Sequence, residues 1–438
     1  MACRATRNLS SDDETAAQLI ENGIGEVLVA ILRCHSETTQ SQSQYYGEDG
    51  EEICSKVIDS VMWAFVNLAC DRSASTILGA AGACSSIIKC AKTNIVLRNP
   101  SVATSLCWAL RNLASDSKFN YGLLADTDVC SALMEMLLAH RSNKEVIEAV
   151  FLTAANVFCD QTLALTLSAD DLTLILTAAI TLFVGNSAFS LESVQVDRIS
   201  SASTDILYDS FDGVEAFLYL VRNIASAGRS NQTLLGRTSV VHFLFAILKS
   251  INNVYNNEGK IDGTEVDAQE IEVITKSQKI LEVLCGVLIN CTFNNNFNKA
   301  IIKELGVLQF ICDCVLPKYL NFYTINNDTL NIGIIMYCVR LTIITCGTIL
   351  DIGSEQDLTN NNDSVSNDNA FALSIGSHDM YKKAIETITM LRDNLQSSDE
   401  DSASEFVSDL QRLLHQHEET FTRKSIKDDC PSDSGSTI

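Results

Sequence analysis

A chain of 438 residues that is 46% hydrophobic and 20% charged is long and apolar enough to bury a large core, which excludes a disordered polyelectrolyte. Its formal charge of −24 argues against a nucleic-acid or anionic-membrane binder, which needs clustered Lys and Arg; it favours a basic protein or peptide as partner, or simply serves solubility, the commoner explanation. With only three prolines, Pro100, Pro317 and Pro431, the composition predicts a mostly helical protein whose turns use Gly, Asn, Ser and Asp.

Taken in chain order, one helical segment recurs around an Asn. The copies are "ATRNLSSD" at Asn8, "AFVNLACD" at Asn67, "ALRNLASD" at Asn112, "TAANVFCD" at Asn156, "LVRNIASA" at Asn223 and "VLINCTFN" at Asn290. A seventh, "YCVRLTIIT", has Leu341 in the Asn place. Downstream of each Asn lies a turn residue followed by an apolar helix, at Gly23, Gly82, Asp128, Asp171, Ser239 and Gly306. The separations are 15, 15, 16, 15, 16 and 16 residues, too regular to be accidental. From each turn residue to the next Asn position the spacing instead varies, 44, 30, 28, 52, 51 and 35 residues, and the extra length is polar. Each unit therefore has a constant block and one junction that accepts insertions, which in a solenoid emerge along one edge.

These spacings fit a short helix, a second helix after the turn, and a longer third helix ending at the Asn. The third-helix pattern "SVATSLCWALRNLASD" and the second-helix pattern "GIGEVLVAIL" resemble armadillo repeats over most of residues 1–345. The resemblance implies an all-α fold, a right-handed α-solenoid (an armadillo superhelix) of about seven three-helix repeats. The expected organisation is a truncated first unit at 1–35, a polar insertion at 36–55 and armadillo repeats at 56–184. A second insertion at 185–210, a repeat at 211–250, a third insertion at 251–275 and repeats at 276–350 follow. A polar loop at 351–378, a C-terminal capping helix at 379–395 and an acidic mobile tail at 396–438 complete the chain. The first unit lacks its first two helices, so either the sequence lacks its beginning or another chain covers that end.

No catalytic pattern is present: no GxGxxG, GxxxxGK[ST], HExxH or CxxC occurs, and the expectation is a non-enzyme with no cofactor and no metal. "HQH" at His415 and His417 reads as a solvated face. The sixteen cysteines, at apolar positions such as Cys70, Cys107, Cys159, Cys285 and Cys338, read as reduced, buried side chains. The N-terminus shows no signal peptide, so the expected location is cytoplasm or nucleus. No small-molecule substrate and no membrane insertion are expected; the apolar stretch from Leu172 is solidly apolar only to Val184, too short for a bilayer.

The residues that remain for function are the Asn ladder and its neighbours. In armadillo proteins the third helices line a concave groove, so the resemblance implies that Asn67, Asn112, Asn156, Asn223 and Asn290 face an extended peptide, which a carboxamide can clamp through its donor and acceptor. The alternative is that these Asn tie helices together. Importin-α-type proteins place a Trp four residues before each such Asn, to stack on Lys stems. Here that place holds Trp63, Trp108 and Tyr219, with Arg4, Leu152 and Gly286 in the other units. Asp71, Asp116 and Asp160 each follow an Asn by four residues and read either as N-caps of the next helix or as an acidic rim selecting Lys or Arg. The Arg preceding the Asn at Arg7, Arg111 and Arg222 is more like catenin-type repeats; it either pairs with a carboxylate of a neighbouring repeat or holds an acidic ligand. The reading is a non-enzymatic interaction scaffold. An importin-α-type nuclear transport adaptor and a regulator of a small GTPase are the narrower alternatives.

Overall fold

The computed structural model describes residues 2–41, 48–115, 117–184, 211–258 and 268–317, with single helical positions at 334, 335, 337, 338, 341, 342, 345, 386 and 389. The 351–378 loop, the 396–438 tail with its two His, the 185–210 insertion, Asp116 and nearly all of the 379–395 helix lie outside the described residues. The described residues contain helices and turns and no strand. The chain divides into two compact units, Met1–Ile301 and Ile302–Ile438.

The first unit begins with a lone third helix, α1 (Ala2–Leu9), and then repeats a three-helix pattern. The successive sets are α2 (Asp13–Glu21), α3 (Ile24–Ser41) and α4 (Glu48–Leu68); then α5 (Arg72–Ala80), α6 (Ala83–Ala91), a one-turn α7 (Asn94–Arg98) and α8 (Pro100–Ala114). Next come α9 (Lys118–Ala125), α10 (Val129–Ala139) and α11 (Lys144–Val157), followed by α12 (Gln161–Ala164), α13 (Ala169–Val184) and α14 (Phe211–Ser226). The last set is α15 (Arg229–Arg237), α16 (Val240–Glu258) and α17 (Ala268–Thr292), after which α18 (Asn296–Glu304) starts. The second unit includes α19 (Val307–Phe310) and a π-helical segment, Ile311–Val315.

The turn between first and second helices bends the chain sharply: the axes differ by 79° at α2/α3, 73° at α5/α6 and 72° at α15/α16. A left-handed residue makes this turn in the described sets other than those at Asp128 (φ −83°) and Asp171. Gly23 (φ 77°), Gly82 (φ 93°) and Gly306 (φ 71°) supply it without the Cβ clash that Ser239 (φ 64°) accepts at the same place. The fourth set departs from the spacing. Its first helix is a single turn, and α13 starts two residues before Asp171, because Asp171 and Ser168 cap each other: Ser168 N–H donates to Oδ2 of Asp171 at 2.9 Å and Asp171 N–H to Oγ of Ser168 at 3.2 Å. A reciprocal cap is a helix start, so it overrides the turn expected at Asp171.

Helices also run into two of the polar segments. α3 continues to Ser41 and α4 begins at Glu48, while α16 continues to Glu258 and α17 begins at Ala268. Glu and Gln at 36–41, 48–55 and 268–275 favour helix. All three interruptions fall at one junction, between second and third helices.

Third helices pack side by side in the order α1, α4, α8, α11, α14, α17, and second helices form the other layer through α3, α6, α10 and α13. The core lies between them. Phe151, Phe217, Phe243 and Phe183 form a chain of rings with centroids 5.5–5.8 Å apart that joins α11, α14, α16 and α13. Cys84, Cys107 and Cys291 are packed in this interior, where loss of water pushes each thiol up to about 12. Cys70 and Cys159, expected to be buried, are exposed. They follow the ends of α4 and α11, where the chain turns outward, and their thiols donate to Val66 O (3.3 Å) and Ala155 O (3.4 Å).

Candidate functional site

The Asn ladder occupies the ends of the third helices. Asn67, Asn112, Asn156, Asn223 and Asn290 are half-buried, and the first four turn the amide nitrogen onto the preceding third helix. Nδ2 of Asn67 donates to Arg7 O at 3.0 Å, Asn112 to Val66 O at 2.9 Å, Asn156 to Arg111 O at 3.2 Å and Asn223 to Ala155 O at 2.7 Å. In every case the acceptor is the carbonyl one residue before the preceding Asn. It is also one of the last four carbonyls of its helix, which have no intrahelical partner. The ladder is therefore an inter-repeat C-cap that sets the stacking register. Asn290, half-buried at the same position in α17, makes no such side-chain bond; its carbonyl instead accepts from Gln232 Nε2 at 2.9 Å.

This use of Nδ2 changes what the ladder offers a ligand. Second hydrogens go to Ser10 Oγ (3.3 Å) from Asn67, to Cys70 Sγ (3.7 Å) from Asn112 and to Cys159 Sγ (3.1 Å) from Asn223. Among the described residues, Asn156 alone of the four keeps a spare N–H. The Oδ1 atoms of all four accept no hydrogen bond from the described residues and are not fully buried. The ladder thus presents acceptors rather than the donor-and-acceptor clamp expected from the amide alone.

One turn earlier on each third helix lies a second half-buried row: Trp63, Trp108, Leu152, Tyr219 and Gly286. Both indoles already carry an arginine. The Arg7 guanidinium sits 5.1 Å from the Trp63 ring centre and Arg111 sits 4.9 Å from that of Trp108. Arg7 also lies 4.0 Å from Asp59 on the neighbouring repeat. Arg111 is half-buried and forms no ion pair among the described residues, and burial lowers its pKa. Tyr219 has its pKa raised by burial and by the adjacent Glu215, whose carboxylate pairs with Lys279 of the next repeat at 2.8 Å.

A third row, two turns before the Asn, is acidic at Asp59, Glu148, Glu215 and Glu282, with Thr104 in the remaining place. Glu148 has its pKa raised, first by burial and then by Asp212 and Glu145. Sequence reasoning passed over this row because each carboxylate lies eight residues before the Asn, outside the motif that defines the repeat.

The Asp residues that follow the Asn lie elsewhere. Asp71 accepts from Ala74 N–H at 2.9 Å, capping α5, and Asp160 accepts from Thr162 and Leu163 N–H at 2.9 and 3.1 Å, capping α12. Helix α9 is capped by Ser117, whose Oγ accepts from Asn120 N–H at 3.2 Å. These side chains start first helices and are spent on backbone.

A second ladder was legible and missed. Eight residues after Asn112, Asn223 and Asn290 come Asn120, Asn231 and Asn298, on first helices and buried. Asn120 Nδ2 donates to Leu113 O (2.7 Å) and Ser75 O (3.1 Å); Asn231 donates to Ala164 O (2.8 Å); Asn298 donates to Gln232 O (2.6 Å) and Cys291 O (2.8 Å). Oδ1 of Asn120 and of Asn298 is buried with no hydrogen-bond partner. Each presses on a glycine of the previous first helix: a Cβ at Gly79 would lie 1.9 Å from Asn120 Oδ1, and one at Gly236 would lie 2.0 Å from Asn298 Oδ1. The eight-residue offset is the signal that would have found it.

No family model and no curated protein matches the chain. Among solved structures, similarity is found to a designed armadillo repeat protein in complex with the peptide (KR)4, at 20% identity over 65% of this chain and 91% of that one, with a TM-score of 0.38. An engineered protein is similar at 15% identity over 95% and 94%, with a TM-score of 0.43. A structure described as a phosphorylation switch controlling the interaction between cadherin and beta-catenin is similar at 11% identity over 94% and 87%, with a TM-score of 0.32. The described unit, a short first helix, a turn, a second helix and a third helix stacked on its counterparts, is that of an all-α tandem-repeat fold.

Proposed function

We propose that this protein is a non-enzymatic interaction scaffold whose third helices hold an extended peptide segment of another protein. The observation that carries this reading is the row of Oδ1 atoms without a partner among the described residues at Asn67, Asn112, Asn156 and Asn223, fixed in place because each Nδ2 is anchored on the preceding repeat. A rigid row of acceptors suits the N–H groups of an extended backbone, and preorganisation lowers the ordering cost on binding. The half-buried row of Trp63, Trp108, Leu152 and Tyr219 gives apolar contact beside it. The carboxylates of Asp59, Glu148, Glu215 and Glu282, with the charge of −24, favour basic side chains in the ligand. Stacking of ligand lysines on the indoles, as a nuclear transport adaptor would use, competes with Arg7 and Arg111, which already face those rings. A reducing compartment, cytoplasm or nucleus, suits the exposed thiols of Cys70 and Cys159.

The test keeps the protein unaltered. A fluorescent, end-capped dodecapeptide alternating Lys and Ser is titrated by anisotropy beside an analogue N-methylated at alternate backbone nitrogens. Micromolar binding that weakens with salt and falls about tenfold on N-methylation supports the reading. Equal affinity of the two peptides refutes it.

A further inference from the structure

The charges of the third-helix face are sorted into two rows. The position eight residues before the Asn is acidic on α4, α11, α14 and α17, and the position one residue before it is Arg on α1, α8 and α14, so that α14 alone carries both and the two rows of backbone positions are about 10 Å apart along the helices. The spacings i, i+4 and i+3 put both rows on the same stripe as the half-buried aromatic and Asn positions. Asp59, Glu148, Glu215 and Glu282 form one edge; Arg7, Arg111 and Arg222 form the other. The two edges are engaged to different degrees. Arg7 lies by Asp59 and Glu215 is paired with Lys279. Arg111 lies half-buried against Trp108 with no ion pair among the described residues, and Glu148 is half-buried with Asp212, Glu145 and, with a smaller effect, Lys144 for charged neighbours.

Resting on the groove reading above, we infer that the ligand is an extended segment with one basic and one acidic edge, its acidic side chains facing Arg111 and Arg222 and its basic side chains facing Glu148, Glu215 and Glu282. In an extended chain successive side chains point to opposite sides, so alternating charge produces such a two-edged ligand. Neighbouring helices lie 8–10 Å apart, which allows about three extended residues per repeat. A uniformly basic peptide leaves Arg111 facing like charge, and a uniformly acidic one meets the carboxylate row. An alternating peptide satisfies both, and the guanidinium stacked on Trp108 is held ready for a carboxylate.

The experiment uses the full chain and three labelled, end-capped dodecapeptides: Lys and Glu in alternation, the same composition in two blocks, and Lys alternating with Ser. Anisotropy titrations at low salt are expected to show the alternating Lys–Glu peptide binding about tenfold tighter than the blocked one. Arg111→Gln is expected to abolish that advantage while leaving the Lys–Ser peptide bound as well or better, which also reports an intact fold, and Arg111→Lys is expected to retain part of it. Equal binding of alternating and blocked peptides, or an advantage that survives Arg111→Gln, overturns the two-edged ligand while the groove reading stands. Failure of all three peptides to bind overturns both.

Discussion

Replacing Asn112 separates an inward-pointing amide from an outward-pointing one. In the structure its Nδ2 donates to Val66 O at 2.9 Å and to Cys70 Sγ at 3.7 Å, at the C-terminal end of α4. Asn112→Ala removes one good hydrogen bond to a carbonyl that otherwise accepts from the Cys70 thiol, at a cost of about 1 kcal/mol. Asn112→Asp removes the same donor and sets a carboxylate against carbonyls that carry the negative end of the helix dipole, so its cost rises to about 2 kcal/mol. The pH dependence follows from the protonated acid, which regains a donor. The folded pKa of the introduced Asp then lies above its unfolded value of about 3.9. The stability supplied by that proton is present below the unfolded value and is lost as pH rises through the folded one. Urea unfolding followed by circular dichroism, with Asn112→Ala as reference at each pH, reads the effect. Asn112→Asp should be the less stable of the two at pH 7 and should approach or pass Asn112→Ala near pH 4. An Asp variant as stable as wild type at pH 7 would refute the inward amide and, with it, the acceptor row.

Gly79→Ala and Gly236→Ala force a Cβ to within 1.9 and 2.0 Å of a buried Asn oxygen, so each should cost roughly 2–4 kcal/mol. Adding Asn120→Ala to Gly79→Ala should recover part of the loss in denaturant unfolding; strict additivity would show that the contact is not what glycine serves. Asp71→Ala and Asp160→Ala should each lose about 1 kcal/mol as N-cap deletions and leave affinity for the Lys–Ser peptide unchanged, whereas a fall in affinity would restore them as an acidic rim. Glu148, with its pKa raised chiefly by burial, contributes stability that is present below the unfolded carboxylate value and lost as pH rises through the folded one. Glu148→Gln should therefore stabilise at pH 7 by less than about 1 kcal/mol, discounted because the group is only half-buried. The gain should vanish near pH 4, and affinity for a basic peptide should weaken; a variant less stable than wild type at pH 7 would contradict the burial penalty.

The sequence by itself determined the unit. Two unlike motifs held 15 or 16 residues apart imply one rigid block, and the left-handed residues at Gly23, Gly82, Ser239 and Gly306 stand where that spacing puts a turn. Local chemistry was legible as well, since a cap such as Asp71 or Asp160 bonds N–H groups two or three residues away and depends on nothing distant. Periodicity failed where a competing local signal was stronger, as in the reciprocal cap of Ser168 and Asp171, and where Cys70 and Cys159 leave their helices for solvent.

Tertiary structure decided which way each Asn points. Asn112 can donate or accept, and its sequence neighbours favour neither; the choice was made by Val66 O, 46 residues away, which has no hydrogen of its own and takes the amide N–H. The same holds for Asn120, whose partners Ser75 and Gly79 belong to another repeat. A repeat motif specifies which side chains recur, but donors and acceptors are assigned only when one repeat is set against the next. The sorting of carboxylates and arginines into two edges likewise exists only once the third helices stand side by side.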